Sequence, residues 1–350
     1  MKVLEVNETP IRTSKNFNIN NMKFENIEIP ETKKKFESMY MTGAKHINED
    51  FEIIEKLKYG NGKILEENVI NSANSKIKLH IENNENINIV YDFNNENLNL
   101  VNYIEIKVSE NTKANVVIKY KSSTNKQCFN NGILEITAKE KSDINITLIN
   151  LLNEESNYFE AIESTTYENA NINFTIIDIG GKNSSINYYS NMIGDMAKNN
   201  LKTIYLGRNN QVKDSNYIAE LKGLKSNLNI DVQGALNDNA KKHFKGTIDF
   251  KKGCKKSVGN ESEYCMLLSN SAKSISLPVL LCTEDDVEGN HGVASGKIDS
   301  KELFYIMSRG IPYKDAIKLI VKARFNKIID EIEDEKTRNE VLEEIDRRLD

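Results

Sequence analysis

The stretch SDINITLI, residues 142–149, sets apolar Ile144, Ile146 and Leu148 against polar Asp143, Asn145 and Thr147 in strict alternation. A period of two sends alternate side chains to opposite faces of a pleated strand and fits no helix. The same alternation recurs in KIKLHI (76–81), INIV (87–90) and IEIKV (104–108), and it dominates residues 63–283. No helical period in that span is long enough to supply the crossovers of a parallel sheet flanked by helices.

The pattern also repeats at a larger scale. A small or polar residue precedes a short strand in KANVVIKY (113–120), SDINITLI, NANINFTII (169–177), SSINYYS (184–190) and SNLNIDV (226–232). Several of the intervals are near multiples of about 14 residues, a fixed period of the kind that marks stacked β-rungs. A β-solenoid fits, and so does a sandwich or barrel with similar strand spacing. The abundant Asn residues read as outer positions of strands, because they alternate with Ile, Val and Tyr.

A chain of 350 residues can bury a sizeable core in one large domain or two ordinary ones. Its 47 basic and 52 acidic side chains leave a net charge of −5, which argues for neither a nucleic-acid surface nor anionic lipid. No apolar run approaches the ~20 residues that span a bilayer. The start of the chain, MKVLEVNETPIRTSKNF, lacks the apolar core of a secretory signal, so a cytoplasmic protein is expected. Reduced cysteines follow. Cys128, Cys254, Cys265 and Cys282 form no C-x-x-C pair and read as small apolar side chains rather than a closed zinc site.

Helical spacing flanks the β region. Residues 31–41 and 47–58 carry it before the strands, with Ile47, Phe51, Ile54 and Leu57 on one face and Gly60 as a stop. After them, Asp299 and Glu302 make a capping box ahead of Leu303, and Gly310 suits the residue past a helix end. Pro312 opens a second helix with Ala316, Ile317, Leu319, Ile320, Ala323, Ile328 and Ile332 at helical apolar spacing. A third is expected over 336–350. The expected division is an irregular and helical region over 1–62, a β core over 63–298 and a helical region over 299–350.

Two glycine-rich stretches imitate phosphate loops. Gly292 to Ile298 (GVASGKI) has three residues between its glycines instead of four, and Ile298 cannot ligate magnesium. Gly180-Gly181-Lys182 fails in the same way. No nucleotide site is expected, so any ATP hydrolysis would belong to a partner.

Residues 277–311, LPVLLCTEDDVEGNHGVASGKIDSKELFYIMSRGI, read as an acidic loop with one histidine, a small-residue turn and a helix ending in aromatic and basic residues. Loops that gather carboxylates, a histidine and glycines are often functional. A neutral imidazole is a common metal ligand and can replace cysteine in iron–sulfur ligation. Asp285, Asp286 and Glu288 could orient the ring of His291 or meet iron directly. The competing reading is a histidine that packs a turn on the last β-rung. Cys282 is a spare sulfur ligand whose acidic neighbours disfavour a thiolate. His46, His80 and His243 stand singly and read as structural or surface residues.

The same stretch strongly resembles the SufB/SufD family of iron–sulfur cluster assembly proteins. The resemblance rests on Asp285-Asp286-Val287, His291-Gly292, Gly296, Ile298-Asp299, Leu303-Phe304-Tyr305-Ile306 and Ser308-Arg309-Gly310-Ile311. It implies a right-handed parallel β-helix core and a cytosolic assembly scaffold without catalytic activity of its own. It further implies iron or a transient iron–sulfur cluster at a subunit interface near His291. Its partners would be a SufB-like subunit and an ABC-type ATPase, SufC, docked on the C-terminal region through Phe304, Tyr305, Arg309 and Tyr313. SufD-type members often carry a cysteine where this chain has Gly289, and SufB-type members carry a cysteine and a glutamate where it has Ala272 and Gly292; without that thiolate and carboxylate the chain is closer to SufD than to SufB. The alternatives are a self-pairing scaffold with the ATPase alone, a purely structural partner, and a carbohydrate-active β-helix protein.

Overall fold

The computed structural model describes residues 3–13, 19–32, 34–53 and 56–350. The chain opens with β1 (Val3–Val6), β2 (Met22–Glu25), β3 (Met39–Thr42), β4 (Ile47–Asn48) and α1 (Lys63–Ser72). Sixteen longer strands follow: β5 (Ser75–Ile81), β6 (Glu85–Phe93), β7 (Asn99–Val108), β8 (Lys113–Ser122), β9 (Phe129–Ala138), β10 (Asp143–Leu151), β11 (Asn157–Thr166), β12 (Asn171–Asp178), β13 (Asn183–Met192), β14 (Lys198–Gly207), β15 (Val212–Leu221), β16 (Asn227–Leu236), β17 (Lys241–Phe250), β18 (Ser257–Leu267), β19 (Lys273–Cys282) and β20 (Val287–Lys297). Helices α2 (Ser300–Ser308), α3 (Tyr313–Ile329) and α4 (Glu335–Leu349) end the chain.

Each strand from β7 onward pairs in parallel with the strand two before it, not with its sequence neighbour. Odd strands build one sheet and even strands the other, so two strands make one turn of a parallel β-solenoid of about eight turns. Asn145 and its stacked neighbour Asn173, which share a hydrogen bond, stand 28 residues apart, twice the spacing expected between strands. One face of each sheet closes a continuous core of Ile, Val, Leu, Phe and Tyr. Large rings run through it, with Tyr188, Tyr217 and Phe244 packed edge to face.

Asparagine serves both faces. Outside, Asn86, Asn115, Asn145, Asn173 and Asn200 form a ladder of side-chain amide hydrogen bonds. Inside, buried Asn102 and Asn199 donate to the hydroxyls of Tyr120 and Tyr188. The outer-face expectation thus covers only part of them.

Both outer faces are covered. Leu4, Val6, Phe24 and Leu65 pack on Phe129 and Phe159 of one sheet, and Val69 packs beside Val101 and Ile133. On the other sheet, Ile320, Phe325, Ile329, Val341 and Ile345 of α3 and α4 cover Ile149, Ile177 and Ile204. At Asp299 the expected cap is present, its carboxylate accepting the Lys301 N–H at 2.8 Å. Gly310 takes the left-handed φ of 88° that ends α2.

The helices expected over 31–41 and 47–58 do not form among the described residues. β3 and β4 occur there instead and pair antiparallel with β6 and β5, closing the first rung. The open sheet edge offers backbone partners that outweigh local helical spacing. Ile54 lies outside the described residues. Glycines 60 and 62 precede a helix, α1, instead of ending one.

The two ends of the stack differ. Phe36, buried against Tyr91 and Phe93, and the two short strands cap the first rung. The last rung, β19 with β20, has no strand beyond it among the described residues, and most of its side chains are exposed or half-buried.

Candidate functional site

That uncapped end holds His291, in β20. Val287 packs on the core and a Cβ at Gly289 would touch Phe250, so positions 287, 289 and 291 of β20 face the interior. His291 therefore points into the mouth of the solenoid, with no rung above it. It lies in a strand and not in the loop expected from sequence.

The other proposed ligands do not converge on it. Glu288 has the opposite parity and faces outward. Asp285 and Asp286 stand exposed in the turn before β20. Beside them, the Glu284 carboxylate accepts the Gly253 N–H at 2.9 Å, which lowers its pKa and ties the turn to the one beneath. Cys282 is exposed and its thiol donates to the Glu284 carbonyl at 2.9 Å. Among the described residues, no group of three or more His, Cys, Asp or Glu side chains is placed to hold a metal ion. The other thiols are buried, and burial pushes that of Cys254 up to about 11.

The interior just below His291 is polar in a way the sequence reading missed. Glu263 is buried and fully served: it pairs with Lys242, and it accepts from Tyr205 at 2.9 Å and from Ser276 at 2.7 Å. Glu261, two residues earlier on the same face, is 3% exposed, and neither carboxylate oxygen has a hydrogen-bond partner. Burial, and then the charge of Glu263, push its pKa up to about 8. The signal was present in NESEY (260–264), where two glutamates take the alternating positions that elsewhere hold Ile and Val.

Of the lone histidines, His243 is buried with Nδ1 3.6 Å from Asp214, and burial pushes its pKa down to about 4. His80 meets Ser109 at 3.1 Å on the surface, and His46 is exposed.

A second surface lies on α2. Leu303 and Ile306 turn toward the cluster under α3 and α4, whereas Phe304 is 74% exposed and Tyr305 57%. Arg309 stacks on the Tyr305 ring at 4.6 Å, and Tyr313 is exposed just beyond. The helix thus buries one side on its own chain and presents aromatic anchors on the other.

The profile of the SUF system FeS cluster assembly family, SufBD core domain, matches residues 91–324, more than half of the chain. The chain is 28% identical over 160 residues to the iron–sulfur cluster assembly protein SufD of Bacillus subtilis, covering 46% of this chain and 37% of that protein. It is 31% identical over 114 residues to SufD of Escherichia coli, covering 33% and 27%. A SufBD family protein of Pyrococcus horikoshii is 44% identical over 68 residues, covering 19% and 15%. The matched part is therefore well under half the length of each of these relatives. With these matches, the carbohydrate-active alternative has no support.

Proposed function

Because the chain belongs to the SufBD core family of the SUF iron–sulfur cluster assembly system, we propose that it is a non-catalytic, SufD-like scaffold subunit. It pairs through the mouth of its solenoid with a SufB-like subunit and carries an ABC-type ATPase, SufC, on α2 and the start of α3.

The observation that carries this reading is the bare last rung. β19 and β20 leave two long strand edges unpaired at the same end, with Ile275 and Leu280 exposed there. Unpaired edges invite another chain, and natural proteins cover or disrupt those not meant to pair. His291 lies in this end, so pairing would enclose it between two chains. A dry, shared site suits transient binding of iron or a nascent cluster, which is cargo and not a resident cofactor. The proposal places the chain in the cytosol; among the described residues, no helix is long and apolar enough to cross a membrane.

Anaerobic affinity purification from the native cytosol, with mass spectrometry of co-eluting proteins, tests the assembly. A SufB-like chain and an ABC-type ATPase are expected. The ATPase alone would favour the self-pairing scaffold, for which two identical open ends can meet about a two-fold axis. Neither partner would overturn the proposal. His291→Ala in the intact complex is expected to slow cluster formation; an unchanged rate would remove the ligand role.

A further inference from the structure

One inner column of side chains runs nearly the length of the solenoid. Val116, Ile146, Phe174, Leu201 and Ile230 stack in register on successive even strands, all within the apolar core. The next two members are Glu261 and then His291, at the mouth. An apolar column thus ends in a carboxylate beneath an imidazole.

We infer that Glu261 is a second ligand, beneath His291, for a divalent transition-metal cation entering at the open end. The inference rests on the proposed reading of His291 as the residue that meets iron there.

Three observations support it. A buried carboxylate with both oxygens unpaired is costly, and a leucine there would continue the column without that cost. Glu263 shows that this interior can serve a carboxylate completely, so the bareness of Glu261 is specific to its position. Finally, the opposing wall is cut away for it. A Cβ at Gly246 would lie 2.2 Å from Glu261 Oε2. The carboxylate therefore fills a recess in the facing sheet, one rung below the mouth.

The donor set defines the ligand class. Glu261 and His291 occupy adjacent parallel strands, about 4.8 Å apart, with side chains on the same face. An imidazole nitrogen with one carboxylate suits Fe²⁺, Mn²⁺, Co²⁺ or Zn²⁺ and not the all-oxygen sites of calcium. No third His, Cys, Asp or Glu joins them among the described residues, so the remaining positions are left for water, sulfide or the paired chain.

The test is anaerobic titration of Co²⁺ into the full chain, read by visible absorption and calorimetry, for the wild type, His291→Ala, Glu261→Gln and Glu261→Leu. The wild type should bind, and each variant should bind at least tenfold more weakly. Glu261→Leu should also melt no lower than the wild type, which separates lost binding from lost fold. If both Glu261 variants bind like the wild type while His291→Ala does not, Glu261 is no ligand and the reading of His291 stands. If all variants bind alike, or the wild type does not bind, both fall. Partner recovery by affinity purification is independent of every one of these outcomes.

Discussion

Gly234 and Tyr205 occupy the same space: a Cβ at position 234 would lie 1.8 Å from Cζ of the tyrosine ring. The ring crosses the bare backbone of the next rung, and its hydroxyl reaches Glu263 one rung further on, at 2.9 Å. Gly234→Ala must push the ring aside and break that bond. Overpacking of this kind costs about 1–3 kcal/mol, so the urea midpoint should fall with the slope unchanged. An unchanged midpoint would mean that the ring moves freely and the fit is not required.

Glu160 gives the fold a pH dependence. It is fully buried; Asn130 donates to Oε2 at 3.2 Å, while Oε1 has no partner. Burial pushes its pKa up from 4.5 to about 8. The folded chain keeps a proton that the unfolded chain loses above pH 4.5. The stability this proton contributes is therefore complete below pH 4.5 and is lost steadily as pH rises to about 8. Glu160→Gln should flatten the decline, leaving the part due to Glu261. Denaturant unfolding at pH 5.5, 7 and 8.5 checks this, and parallel profiles for the two proteins would refute it.

Lys245 and Asp214 form an ion pair at 2.6 Å, with both side chains fully buried. Asp214 also accepts from Asn7 at 2.7 Å and Ser185 at 2.9 Å, which ties the residue following β1 to the sheet. Lys245→Met leaves the carboxylate without its cation, at a cost of about 3–5 kcal/mol. Limited proteolysis should then cut the N-terminal segment sooner than in the wild type. Equal cleavage rates would show that the segment is held without this ion pair.

Phe304 and Tyr305 make the simplest separation of binding from folding. Both are largely exposed, so Phe304→Ala with Tyr305→Ala should leave the melting temperature within about 2 °C. Truncating central aromatic anchors typically costs at least about 2 kcal/mol each, so ATPase affinity should drop more than a hundredfold. Retained affinity would move the docking surface elsewhere.

Much of this was legible in the chain. The strict alternation around Ile144 and Ile146 carried the strands, and the spacing after Asp299 carried the helices, because pleat and helix periods are local. Local pattern misleads where a tertiary partner decides. Strands β3 and β4 replaced expected helices because a sheet edge lay waiting. The acidic residues from Asp285 to Glu288 looked like a ligand set because they are near in sequence, yet the pleat sends Glu288 away from His291.

Sequence by itself determined the periodicity, the family and the candidate histidine, since each is written in adjacent residues. Only the tertiary structure decided that His291 stands at an uncapped mouth above Glu261. That pairing joins residues 30 positions apart. It arises because each solenoid turn returns the chain to the same column, and the length of a turn depends on loops that no local period fixes.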